Sequence, residues 1–125
     1  MKNRIKHIFF DLDHTLWDFD KNSALAFENV FQKHKINLSL SSFHELYSEI
    51  NTAYWKLYRE EKVTQEQLRY GRLKDTFDQL YYTVSDALIH EISVDYITVL
   101  PHNNFLFDGA IAILDYLKPN YQLHI

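Results

Sequence analysis

At 125 residues the chain can hold one domain of ordinary size, or one domain with part of another. Its 46% hydrophobic and 16% aromatic content is that of a folded protein, and a formal charge of −4 without any basic run excludes nucleic acid and anionic membrane surfaces as expected partners. There is no cysteine, which excludes disulfides and thiolate metal sites and suits the cytoplasm.

The basic start ending at His7 leads into only Ile8-Phe9-Phe10 before Asp11, too short an apolar run for an export signal. No stretch approaches the roughly 18 apolar residues of a membrane span, so a cytoplasmic protein is expected. The only glycines are Gly71 and Gly109, which predicts a largely helical chain.

In chain order, residues 4–10 read as a strand buried on both faces, as in a parallel sheet, because a nearly continuous apolar run stops at a charge. Asp11 to Phe19 would be the loop leaving its carboxyl end. A helix starting near Asp20 would carry Ala24, Phe27, Val30 and Phe31 on one side. The second helix has a capping-box pattern in Ser42 and Glu45, followed by Phe43, Leu46, Tyr47, Ile50, Tyr54, Leu57 and Tyr58 at helical spacing. Thr64 with Gln67 opens a third helix, and Ser85 a fourth that carries Leu88, Ile89, Ile92, Tyr96 and Val99. Four such helices joined by short polar segments predict a small bundle. After Pro101, Asp108 is expected to cap a last helix through Leu117, with Ile111, Ile113, Leu114 and Leu117 on its buried side. Tyr121 to Ile125 alternates like a second strand.

The chemistry is concentrated in Phe9-Phe10-Asp11-Leu12-Asp13-His14-Thr15-Leu16. Two carboxylates two positions apart, just past a buried strand, lie where open α/β sheets bind ligands. In extended backbone both side chains would point the same way. Such a pair suits a hard cation such as Mg²⁺, which takes oxygen ligands and offsets the charge of a phosphate. The plainer alternative is a strand-end turn with aspartates capping local N–H groups.

Asp-x-Asp-x-Thr after an apolar strand resembles the first motif of the haloacid dehalogenase superfamily, and the wider string Asp11 to Asp20 resembles its pyrimidine 5′-nucleotidase branch. The resemblance implies an α/β fold: a partial Rossmann-like core with two parallel strands, interrupted by an all-helical four-helix cap. Residues 1–17 and 101–125 would be core and 18–100 the cap, closing over the site. It implies Asp11 as the nucleophile and a Mg²⁺ ligand, and Asp13 as general acid/base, also bound to the metal through its backbone carbonyl. Thr15 would steady the loop by hydrogen bonding. An acid at Asp13 favours phosphate esters over halides, since an alkoxide needs a proton to leave and a halide does not. The implied substrate is a small phosphomonoester such as a pyrimidine nucleoside monophosphate.

Within the cap, Arg69 and Arg72 flanking Tyr70-Gly71 could grip phosphate or a base carbonyl; the plainer reading is an exposed helix face with a tolerated glycine. Trp17 and Phe19 would border the substrate, stacking on a base or anchoring a hinge. Tyr54, Trp55 and Tyr58 read as bundle core and its margin, and His14, at a variable motif position, receives no catalytic role. No histidine or carboxylate group has zinc spacing.

The resemblance also implies a phosphate-binding Ser or Thr, a lysine and further acids, none of which has a counterpart in the 125 residues. The expectation is therefore a truncated or split phosphatase, inactive alone, whose partner would be the missing half of the core. The alternative is a non-enzymatic helical-bundle interaction module that keeps a vestigial strand.

Overall fold

The computed structural model describes residues 4–125; Met1, Lys2 and Asn3, part of the expected core segment, lie outside the described residues. Strand β1 (His7–Phe9) is followed by helices α1 (Phe19–His34), α2 (Leu40–Arg59), α3 (Gln65–Gln79) and α4 (Asp86–Val99). A short 3-10 turn (Leu100–His102), helix α5 (Ala110–Leu117) and strand β2 (Gln122–His124) complete the order. The two strands pair in parallel, with His7 opposite Gln122, Ile8 opposite Leu123 and Phe9 opposite His124. The fold is thus α/β with a two-stranded parallel sheet and a four-helix insertion.

The bundle holds the core. Phe27, fully buried, stacks on Tyr96 at 4.2 Å between ring centroids and meets Tyr47 at 4.6 Å and Phe43 at 4.9 Å edge-on. Aromatic pairs in these offset and edge geometries add to the gain from area burial. Ala26, Val30, Phe31, Leu73, Phe77, Ile89 and Ile92 fill the space around them, so every helix from α1 to α4 contributes its apolar stripe.

Two chain crossings join sheet and bundle, and they run side by side. Asp18 N–H donates to Phe105 C=O at 2.9 Å and Phe107 N–H to Leu16 C=O at 3.0 Å. Asn22, buried in α1, clamps the return crossing from both ends of its amide. Its Nδ2 donates to Phe105 C=O at 3.0 Å and its Oδ1 accepts from Phe105 N–H at 2.9 Å.

Several expectations are corrected. Helix α2 begins at Leu40, capped by Ser39, whose hydroxyl accepts from Ser42 N–H at 3.3 Å; Ser42 lies inside the helix. Starting earlier lets Leu40 pack against the core. The Thr64–Gln67 capping box and the Ser85 cap form as read. Helix α5 opens at Gly109, whose φ of 84° suits only glycine comfortably, and Asp108 makes no capping bond. β1 is not buried on both faces: Phe9 is 75% exposed, and of α5's apolar residues Ile111 is 57% and Ile113 43% exposed. A two-stranded sheet with one short helix has too little material to cover them.

Candidate active site

Past β1 the chain turns sharply. Leu12 C=O accepts from the N–H groups of Thr15, Leu16 and Trp17 at 3.3, 3.0 and 2.9 Å, curling the loop around one oxygen. His14 meets this turn in the left-handed region at φ 63°. Leu16 is buried, and its C=O holds the loop to the return crossing at Phe107. Asp11 Oδ1 accepts from Leu12 N–H at 3.1 Å, and Asp13 forms a bridge with Trp17.

This turn places Asp11 and Asp13, both solvent-accessible, on one wall of a cleft of about 270 Å³ between loop and bundle. His14 and Phe19 extend that wall, their rings 5.0 Å apart. The opposite wall is one face of α2: Asn51, Thr52, Trp55 and Arg59. Their spacing of one, four and eight residues keeps them on one side of the helix. The cleft therefore combines two carboxylates, an amide, an indole and a guanidinium.

The other residues singled out from the sequence fall around it. Thr15 contributes its backbone N–H to the turn, and among the described residues its hydroxyl has no hydrogen bond. Trp17 Nε1 donates to Asn104 Oδ1 at 3.3 Å, tying loop to return crossing. Arg69 is exposed and away from the cleft wall. Arg72 is 6% exposed, so its face of α3 is not a solvated one; it lies behind Asn51, donating from Nη1 to Asn51 Oδ1 at 3.0 Å. Trp55, read as bundle margin, is 37% exposed and lines the cleft. Sequence reasoning missed Asn51, Thr52 and Arg59. A polar face on an otherwise amphipathic helix looks like solvated surface until the loop is seen opposite it.

The donor chemistry fits Mg²⁺ in kind, since hard oxygens stand at Asp11 and Asp13. In number the set is incomplete: among the described residues no three His, Asp or Glu side chains gather to hold a metal ion. Among the described residues no helix is long and apolar enough to cross a membrane.

A parallel strand pair, an Asp-x-Asp-x-Thr turn at the strand's carboxyl end and a four-helix insertion facing it form the arrangement of a haloacid-dehalogenase-type fold, and the chain is similar over nearly its whole length to proteins of that superfamily. No family model matches it. It is 27% identical over 122 residues to the HAD-hydrolase YfnB of Bacillus subtilis, covering 98% of this chain and 50% of that protein. It is 26% identical over 121 residues to the pyrimidine 5′-nucleotidase YjjG of Escherichia coli, covering 94% of this chain and 49% of YjjG. The crystal structure of YfnB bound to magnesium superposes with a TM-score of 0.82 at 27% identity, over 96% of this chain and 51% of YfnB. The defluorinating L-2-haloacid dehalogenase Rha0230, at 14% identity and a TM-score of 0.68 over 95% of this chain and 49% of its own, shares the fold. The chain spans about half the length of the curated relatives it matches.

Proposed function

We propose that this chain carries the nucleophile and cap of a Mg²⁺-dependent phosphomonoester hydrolase acting on a pyrimidine nucleoside monophosphate. The observation that carries the reading is the meeting of Asp11 and Asp13 with the polar face of α2 in one cleft at the end of β1. The similarity to YjjG supports the substrate class. Residues 18–100 act as the cap, and 1–17 with 101–125 as part of the core.

In this reading Asp11 attacks phosphorus while Asp13 protonates the departing alkoxide, leaving an aspartyl-phosphate. Asp13, now a base, takes a proton from water. That water attacks phosphorus, frees phosphate and restores Asp11. Asp11 and the Asp13 backbone carbonyl would hold the metal, which supplies positive charge against the phosphate.

The remaining charge stabilisation would come from elsewhere, since among the described residues the cleft brings only Arg59 as a permanent cation. The exposed apolar surface of Phe9, Ile111, Tyr116 and Ile125 fits further strands and helices of an α/β core. The protein would work in the cytoplasm, which its cysteine-free composition suits.

The test measures Mg²⁺-dependent hydrolysis of p-nitrophenyl phosphate and UMP by the 125-residue chain and by the chain joined to the second half of a pyrimidine nucleotidase. The joined form turns over both and Asp11→Asn silences it, while the chain alone does neither. Turnover that survives Asp11→Asn, or a folded joined form without turnover, overturns the reading.

A second reading, a non-enzymatic bundle module, draws on one observation: the buried core cluster lies within α1–α4 and the adjoining Val84. It expects a folded joined form without turnover.

A further inference from the structure

Arg72 is a buried cation that, among the described residues, has no carboxylate partner. Burying a guanidinium is costly, so its position calls for a reason. Its guanidinium carbon lies 5.8 Å from the Tyr47 ring centroid and 5.5 Å from that of Tyr96, within reach of both π faces. Nε is buried with no hydrogen-bond partner, and Nη1 is spent on Asn51.

A guanidinium can only donate. It therefore decides which end of the Asn51 amide faces it: Oδ1 turns inward to Arg72, and Nδ2, with two N–H donors, is left for the cleft. Asn51 is itself 7% exposed, so its amide is closely confined. Among the described residues Nδ2 has no acceptor. One turn along the same face stands the Trp55 indole, and one turn further Arg59, again donor-only. Thr52, beside Asn51, has already donated its hydroxyl proton to Ser48 C=O at 2.9 Å. From Asn51 to Arg59 the wall runs about 12 Å at the helical rise, more than a bare phosphate ester needs.

We propose that Asn51, Trp55 and Arg59 form the subsite for the leaving group's base, a planar ring with a carbonyl acceptor of the pyrimidine type. Arg72 is the positioning residue that holds Asn51 as a donor. This deepens the phosphomonoester reading and rests on it for the identity of the leaving group. The ring lies on the Trp55 indole, and its carbonyl accepts from Asn51 Nδ2. Adenine has no carbonyl and offers that donor only a ring nitrogen set at a different place on its edge, so it is expected to bind more weakly.

The test needs neither metal nor phosphate. The ¹⁵N-labelled 125-residue chain is titrated with uridine, adenosine and ribose 5-phosphate while the Asn51 amide and Trp55 indole signals are followed by NMR. Uridine shifts both in a saturable way, adenosine does so with clearly lower affinity, and ribose 5-phosphate leaves them in place. Asn51→Asp gives Arg72 a carboxylate and so keeps the fold, but puts an acceptor where the donor stood; uridine affinity falls about tenfold or more. Arg72→Met frees the amide and weakens uridine binding similarly, and Arg72→Lys, which keeps a donor, recovers part of it. If Arg72→Met does not fold, Asn51→Asp decides. Unmoved α2 signals, an equal response to adenosine, or undiminished binding by Asn51→Asp overturns the subsite. The uridine titration uses neither metal nor phosphate and reads no turnover, so a failed hydrolysis assay and a failed subsite are separate results.

Discussion

A Cβ placed on Gly71 would collide with Tyr54 Oη and sit 2.5 Å from its Cζ, so α2 and α3 touch where glycine leaves room for the tyrosine ring. Tyr54 Oη donates to Asp75 Oδ2 at 2.6 Å; burial, then this bond, pushes the phenol up to about 12. Gly71→Ala would gain about 1 kcal/mol in helix propensity. It must also displace the tyrosine, and overpacking costs about 1–3 kcal/mol. Urea unfolding is expected to show a net loss of stability, which disappears when Gly71→Ala is made in a Tyr54→Ala background.

The helix caps separate what the letters suggest from what the backbone does. Ser39→Ala and Thr64→Ala are each expected to cost about 1 kcal/mol in chemical denaturation. Ser42→Ala leaves stability within about 0.5 kcal/mol, because its hydroxyl caps nothing. An equal loss from Ser42→Ala would contradict the observed start of α2.

Asn22 makes the joint between α1 and the return crossing. Asn22→Leu leaves both backbone groups of Phe105 without their partner, at about 1–3 kcal/mol for each if they stay dry. Amide exchange at Phe105 is expected to speed up in this variant, and the melting temperature to fall. Unchanged exchange would mean that the crossing is held elsewhere.

Acid should loosen the bundle through His44. Burial holds its pKa below the usual 6.5, the Asp20 carboxylate opposing this more weakly, and Nε2 sits 3.0 Å from Ser23 Oγ. A base whose folded pKa is depressed stabilises fully above 6.5, and that stability is lost as pH falls through the folded value. The urea midpoint of the native chain should drop below pH 6.5, and less steeply in His44→Gln. Asp95, lowered by its bonds to Lys33 and His34, acts in the same direction but only below about 3.8, so the two windows separate.

Much of the bundle was legible because helical periodicity reports burial directly. Phe27, Phe43, Tyr47, Ile89 and Tyr96 fall where their spacing puts them. The Thr64–Gln67 box was legible because both halves of the cap lie three residues apart. Ser42 was read as the cap where Ser39 is the observed one, since either hydroxyl can accept a backbone N–H and packing of Leu40 chooses. Ile111 and Ile113 were read as buried because their residue types say so, while exposure depends on what lies opposite.

The parallel pairing of the strands was implied by the family resemblance; from the order of residues alone came the two strands, the run of helices between them and the two acids at the first strand's end. Each is a local pattern, set by periodicity, charge and turn chemistry within a few positions. The wall those acids face needed three dimensions. Asn51, Trp55 and Arg59 lie some forty residues along the chain from Asp11 and Asp13, and Arg72 acts on the cleft only through Asn51. Which polar helix face is solvated and which encloses a site is a property of packing between distant segments, and no single window of sequence contains it.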